Sequence, residues 1–236
     1  MTYRSAPQST HLRPPVLGAV QLTALLTVLL TGLLVGSLVP SLLATGAEAE
    51  LQSRHELLRG GETDARREAA LWLGQHATQE SVPQLVEALR DRDAGVRLLG
   101  EQSIWQIWMR SGDPAVDRRL SEGTALLNRG EFAAALAIFE DVVEMDGEFA
   151  EGYNKRATAL YYLGDYKGSL ADIEETLKRN RYHFGALSGA GMCMISLEQP
   201  AAAAHYFERA LEINPNLPGV AETIQRLHRL TEGQMM

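Results

Sequence analysis

Hydrophobic positions along this chain fall into two patterns. Residues 16–39, VLGAVQLTALLTVLLTGLLVGSLV, run without a single charge, and about 20 apolar residues are enough for a helix to span a bilayer. Beyond them, apolar and charged positions interleave. In 217–230, Val220, Ile224, Leu227 and Leu230 recur at helical spacing with charges opposite, which predicts an amphipathic helix. Alternating runs of Val, Ile and Thr are absent, so no strand is expected.

The strongest signal is self-similarity at a fixed period. Three windows, Val116–Phe149, Ala150–His183 and Phe184–Leu217, align without insertion at 34 residues each. Their eighth residue is small (Gly123, Ala157, Gly191), as is the twentieth (Ala135, Ser169, Ala203), and the twenty-fourth is bulky (Phe139, Ile173, Phe207). Gly-centred turns followed by an aromatic, Arg129-Gly130-Glu131-Phe132 and Leu163-Gly164-Asp165-Tyr166, separate the two halves of the first two windows. Each window also carries Asp or Asn near its end: Asp146, Asn180, Asn214. Antiparallel helices approach closely only where side chains are small, and bulky neighbours then fill the space. One such hairpin cannot bury its own apolar face, so successive hairpins stack.

These residues resemble the tetratricopeptide repeat, with ALYYLGDYKGSL (159–170) and FERALEINPN (207–216) close to the family consensus. Two departures stand out: Pro200 in place of the aromatic, which a helix start tolerates, and Arg179 where an apolar residue is usual. The resemblance implies an all-α, right-handed α-α superhelix: repeats at 116–149, 150–183 and 184–217, and a capping helix at 218–231. A front segment, 50–112, resembles the HEAT-type repeat through ARREAALWLG (65–74), SVPQLVEALRDRDAGVR (81–97) and the 31-residue offset from Ala65-Arg66 to Val96-Arg97. Gly100-Glu101 departs from the two alanines usual there. Trp105 and Trp108 share a helix face before the stop signal Ser111-Gly112-Asp113-Pro114. They are expected to be buried where the two repeat types meet.

Charge narrows the partners. A formal net charge of −8 and a pI near 5.3, with arginines interleaved among acids as in Arg90-Asp91-Arg92-Asp93, exclude a basic stripe for nucleic acid. Cys193 is the single cysteine and the six histidines are scattered, so neither a disulfide nor a metal site is expected. GALSGAG (185–191) is not a phosphate loop: no strand precedes it, no Lys-Ser/Thr follows, and Gly191 falls on the repeat's small position. No catalytic triad, Cys-His pair or carboxylate pair emerges, and Asp172, Glu174 and Glu175 read as a solvated helix face. No enzyme activity, cofactor or small-molecule substrate is expected.

Arg4, His11 and Arg13 precede the apolar run, and the first acids, Glu48 and Glu50, follow it. That asymmetry places the amino terminus in the cytoplasm and the rest on the periplasmic side. Residues 1–49 are then either a hydrophobic helix retained as an anchor, as the length of the run suggests, or a secretory signal, with Pro40 breaking the helix and Ala47-Glu48-Ala49 offering a cleavage site. The segments 151–175 and 181–192 are similar to bacterial repeat proteins with secretion signals, and Asn154–Thr158 and His183–Leu187 stand out beyond generic repeat packing.

In tetratricopeptide repeats the first helix of each hairpin lines the concave face. By repeat position the groove comprises Leu120, Thr124, Leu127 and Asn128, then Asn154, Lys155, Thr158, Tyr161 and Tyr162, and finally Ser188, Met192, Ile195 and Ser196. Tyrosines beside Asn154 and Lys155 offer flat apolar area with polar handles. At the positions where some family members hold a chaperone tail's carboxylate stand Leu120, Thr124, Lys155, Gly185 and Gly189, and only Lys155 fits. The expected partner is an extended peptide or a folded protein, docked by an adaptor; the alternative is an assembly factor for a membrane complex, acting through its front segment.

Overall fold

The computed structural model describes residues 46–234, which are helical and loop throughout, with no strand among them. Two compact units divide after Glu50, and the second begins at Leu51. The apolar run 16–39 lies outside the described residues. Among those described, no helix is long and apolar enough to cross a membrane.

Helix α1 (residues 51–60 in this unit) leads into α2 (Thr63–His76), α3 (Val82–Ala88) and α4 (Ala94–Trp108). Then come three hairpins: α5 (Pro114–Asn128) with α6 (Phe132–Met145), α7 (Ala150–Tyr162) with α8 (Tyr166–Arg179), and α9 (Phe184–Ser196) with α10 (Pro200–Ile213). Helix α11 (Val220–Gln234) closes the array against α10. Starts are set by short acceptors: the carboxylates of Asp93, Asp113 and Asp165 cap α4, α5 and α8, and Pro114 and Pro200 occupy first-turn positions that need no N–H.

The 34-residue period survives in atomic detail. A Cβ on Gly123 would lie 2.5 Å from the Phe139 ring, and one on Gly191 would lie 2.7 Å from the Phe207 ring. The small and bulky positions therefore press against each other within a hairpin. Ser169 takes the small position of the second hairpin and sends its hydroxyl to the Ala157 carbonyl at 2.8 Å. Asp146, Asn180 and Asn214 each accept the backbone N–H two residues on, at 3.0–3.1 Å, making the same turn after each hairpin. Arg179 is equally accounted for: it bonds the Gly147 carbonyl at 2.7 Å and lies 4.3 Å over the Tyr153 ring, tying one inter-repeat turn to the next. Asp172 is not on a solvated face. It is buried in a two-pronged ion pair with Arg156, both bonds at 2.7 Å.

The front segment repeats at 31 residues in the same way. Arg66 donates to the Gly61 carbonyl and Arg97 to the Arg92 carbonyl, each five residues back. Arg66 grips Asp91, and Arg67 grips Asp93, both through two bonds of 2.8–3.0 Å. The hydrogen bonds from Arg67 and from the Val96 N–H hold the Asp93 carboxyl down to about 2. A carboxyl depressed below its ordinary 3.8 adds stability above that value, and the contribution disappears as pH falls through about 2. Asp93→Asn keeps the cap but removes the charge. The variant is expected to melt below the wild type at pH 7, and the gap should close between pH 4 and 2; a gap constant across that range would show the pair to be inert.

The two repeat types meet at the tryptophans, but not where chain order suggests. Trp108 is fully buried and stacks on His183 with ring centroids 4.2 Å apart and planes within 17°. Trp105 meets Phe184 edge-on at 5.4 Å. The front segment thus docks on the third hairpin, where Phe184, Leu187 and Ala210 join its core, instead of merely preceding the first. Polar contacts extend the seam: Arg90 donates to the Glu212 and Ile213 carbonyls at the end of α10, and Asn216 donates to the Leu89 carbonyl at 2.7 Å. A guanidinium at a helix C-terminus also favours the helix dipole.

Candidate functional site

Helices α7 and α9 run side by side with α8 behind them, and a concavity of about 190 Å³ opens between them. Asn154, Thr158, Tyr161 and Tyr162 form one wall, Met192 the other, and Ser169 and Ile173 the floor. Gly185 and Gly189 leave the α9 wall bare. A Cβ at Gly189 would meet only Ile173 Cδ1, at 3.5 Å, whereas one at Gly185 would lie 2.6 Å from Trp105 Cη2. The front segment's indole therefore seats on the glycine at the amino-terminal end of the wall.

Aromatic packing sets the other end. Tyr162 is 56% exposed yet stacks on Phe132 at 4.6 Å, and Tyr161 packs edge-on against Tyr162 and tilted against Tyr166. Those contacts lock the rotamers, so the tyrosine wall is preorganised.

Of the sequence-derived groove residues, Asn154, Thr158, Tyr161, Tyr162 and Met192 share this concavity. The others stand elsewhere. Ser188 returns its hydroxyl to the Phe184 carbonyl at 2.9 Å, and Ile195 lines a separate cavity beside α11. Leu127 packs against the first hairpin's core, Asn128 is exposed at the end of α5, and Leu120 is fully buried. Lys155 pairs with Glu151, Nζ to Oε1 at 3.2 Å.

Glu151 is what sequence inspection missed. Its buried carboxylate takes the Asn154 amide at 3.2–3.3 Å, Lys155, and His183 Nε2 at 2.8 Å. The Ala186 N–H donates to His183 Nδ1 at 3.0 Å, so the ring hydrogen resides on Nε2 and points at Glu151. Burial opposes ionisation of Glu151, but the His183 hydrogen bond, with the Lys155 charge and the Asn154 amide, outweighs it and holds the carboxyl below its ordinary range. The only hint was that Asn154–Thr158 and His183–Leu187 exceed what repeat packing requires. Chemically the consequence is clear: the polar donors at this end of the concavity are committed to an internal carboxylate, leaving an aromatic and aliphatic trough. Among the described residues no group of three His, Cys, Asp or Glu side chains is placed to hold a metal.

Comparison with known proteins finds both repeat types over part of the expected ranges. Residues 154–218 match the tetratricopeptide repeat family, and residues 65–91 match the PBS lyase HEAT-like repeat family. The chain carries both kinds of repeat. A TPR repeat-containing protein of Rhizobium etli is 29% identical over 108 residues, covering 46% of this chain and 53% of the relative. The Hsp70-Hsp90 organizing protein of Triticum aestivum is 27% identical over 104 residues, 44% of this chain and 18% of its own length. The chain thus spans about half of the first relative and far less of the second. Among solved structures, the first TPR domain of human RPAP3 aligns with 51% of this chain and 94% of its own, at 18% identity and a TM-score of 0.49.

Proposed function

We propose that this protein is a non-enzymatic interaction adaptor that holds an extended, predominantly apolar peptide segment of a partner protein between α7 and α9. The reading places it on the periplasmic side of a membrane, tethered by residues 16–39 or released after their removal; the uncharged run and the basic residues ahead of it support that placement. One observation carries the binding role: a preorganised tyrosine wall faces a stretch of α9 left bare at Gly189, above Ile173. Rigid aromatics with open space opposite are the makings of an anchor pocket. Because Asn154 and Lys155 already serve Glu151, the trough has no ready grip for an acidic tail.

Gly189→Leu tests this directly. The site tolerates a Cβ, and leucine also raises helix propensity, so the side chain fills the trough while the fold stands. With a photocrosslinker at position 162, the variant is expected to lose at least about tenfold in crosslinked partner, equivalent to about 1.4 kcal/mol of binding. An unchanged set of crosslinked species would refute the groove.

A second reading, an assembly factor for a membrane complex, draws support from Leu71 and Leu98, large apolar side chains exposed on α2 and α4. A crosslinker at position 98 in the same experiment separates the two, since only the assembly reading yields partners there that survive Gly189→Leu. Deleting the front segment would not separate them, because that strips the cover from Phe184 and Leu187.

A further inference from the structure

The turns inside the three hairpins share one backbone geometry. Gly130, Gly164 and Glu198 stand at successive 34-residue positions, and all have positive φ: 79°, 85° and 57°. In each case that residue's N–H bonds the carbonyl three residues back (Leu127, Tyr161, Ile195), and the next N–H bonds the carbonyl of Leu126, Leu160 or Met194. This is the left-handed helix end that glycine adopts freely and a residue with a Cβ adopts under strain. Glu198 is the one non-glycine at positive φ among the described residues. Its side chain is exposed and makes no hydrogen bond or ion pair among them that would repay the strain.

The strained residue borders a cavity. Glu198, Ile195, Pro200, Leu227 and Leu230 line a hollow of about 260 Å³ between the third hairpin's turn and α11. Ile195 is 39% exposed and Leu230 58%, both large for apolar side chains. Ile195 lies one turn beyond Met192, the exposed α9 wall of the trough, so the two hollows stand one helical turn apart along α9. An acid kept at energetic cost beside exposed aliphatic side chains, one helical turn from the trough, calls for a ligand of matching chemistry.

We propose that this hollow is a second subsite of the same binding surface, and that it takes a lysine or arginine side chain of the partner segment. The aliphatic stem lies along Ile195, Leu227 and Leu230, and the cationic head meets Glu198. The chain's net charge of −8 favours approach by a basic segment. This inference rests on the groove reading and adds to it the partner's sequence character: a basic residue flanking the apolar part.

Glu198→Gly restores the residue used in the other two turns, so it should raise Tm by about 2–4 °C. Glu198→Gln keeps the strained side chain without the charge and should leave Tm unchanged. Both should bind more weakly to one class of ligand. Acetylated, amidated twelve-residue peptides of random sequence, arrayed and probed with the full chain, are expected to select Lys or Arg beside bulky apolar residues. Both variants should lose those peptides by about tenfold or more, and peptides with norleucine in place of the basic residue should bind all three proteins equally. Equal retention of basic peptides by the wild type and both variants overturns the subsite while leaving the trough standing. Peptides that bind Gly189→Leu as well as the wild type overturn the groove reading instead. A wild type that retains no peptide at all overturns both.

Discussion

Trp108→Ala is expected to remove about 3–5 kcal/mol of stability, the range for truncating a buried aromatic. The indole is 1% exposed, stacks on His183, tilts against Phe184 at 5.0 Å and meets Trp105 edge-on at the same distance. Alanine would leave a void bordered by residues of α4 and α9, and the seam has few ways to close on it because Arg90 and Asn216 also tie the end of α3 to the end of α10. The loss should therefore fall on the seam between the two repeat types more than on either one. Urea unfolding would show the transition moved to lower denaturant, and a protease would gain access near Ser111–Asp113, the joint between α4 and α5. A loss below about 1 kcal/mol, with the joint still protected, would mean that the polar contacts alone hold the front segment in place.

The sequence revealed within-repeat structure well and between-repeat structure poorly. Gly123 against Phe139, Gly191 against Phe207 and the Asx turns at Asp146, Asn180 and Asn214 all follow from period 34, because each is a contact inside one unit or between consecutive ones. The partner of Trp108 is of another kind. It lies 75 residues away in His183, and no periodicity links a HEAT-type helix to the third tetratricopeptide hairpin after it. Shape at the seam decides it, above all the bare backbone at Gly185 that admits the Trp105 ring. The groove divides the same way. Tyr161, Tyr162 and Met192, aligned by repeat position, line one concavity, whereas Leu120 sinks into the first hairpin's core beside Val116 and Phe139, and Lys155 turns to Glu151. Repeat position fixes which side of a helix a residue occupies; the neighbouring charges and the size of the gap decide what its side chain reaches.

Glu151→Leu should cost about as much as losing the tryptophan, about 3–5 kcal/mol, for the opposite reason. Little volume changes, but a buried ionic hub disappears and its partners remain. His183 Nε2–H, on a ring packed against Trp105 and Trp108, would be left without an acceptor, and the Asn154 amide would lose both of its bonds to the carboxylate. Lys155, only partly enclosed, can turn to water, so most of the penalty falls on the histidine and the asparagine. Glu151→Gln keeps an acceptor for His183 and should lose far less, about 1–2 kcal/mol. The decisive comparison is the pair Glu151→Leu with His183→Leu. If unpaired buried polarity is the cause, the double variant should be more stable than Glu151→Leu alone, short of the wild type by the lost α9 cap, about 1 kcal/mol, and by the Asn154 amide that still lacks its carboxylate. Strictly additive losses would instead show that the two side chains act independently. The hub would then be no link between the docked front segment, through His183, and the trough wall, through Asn154.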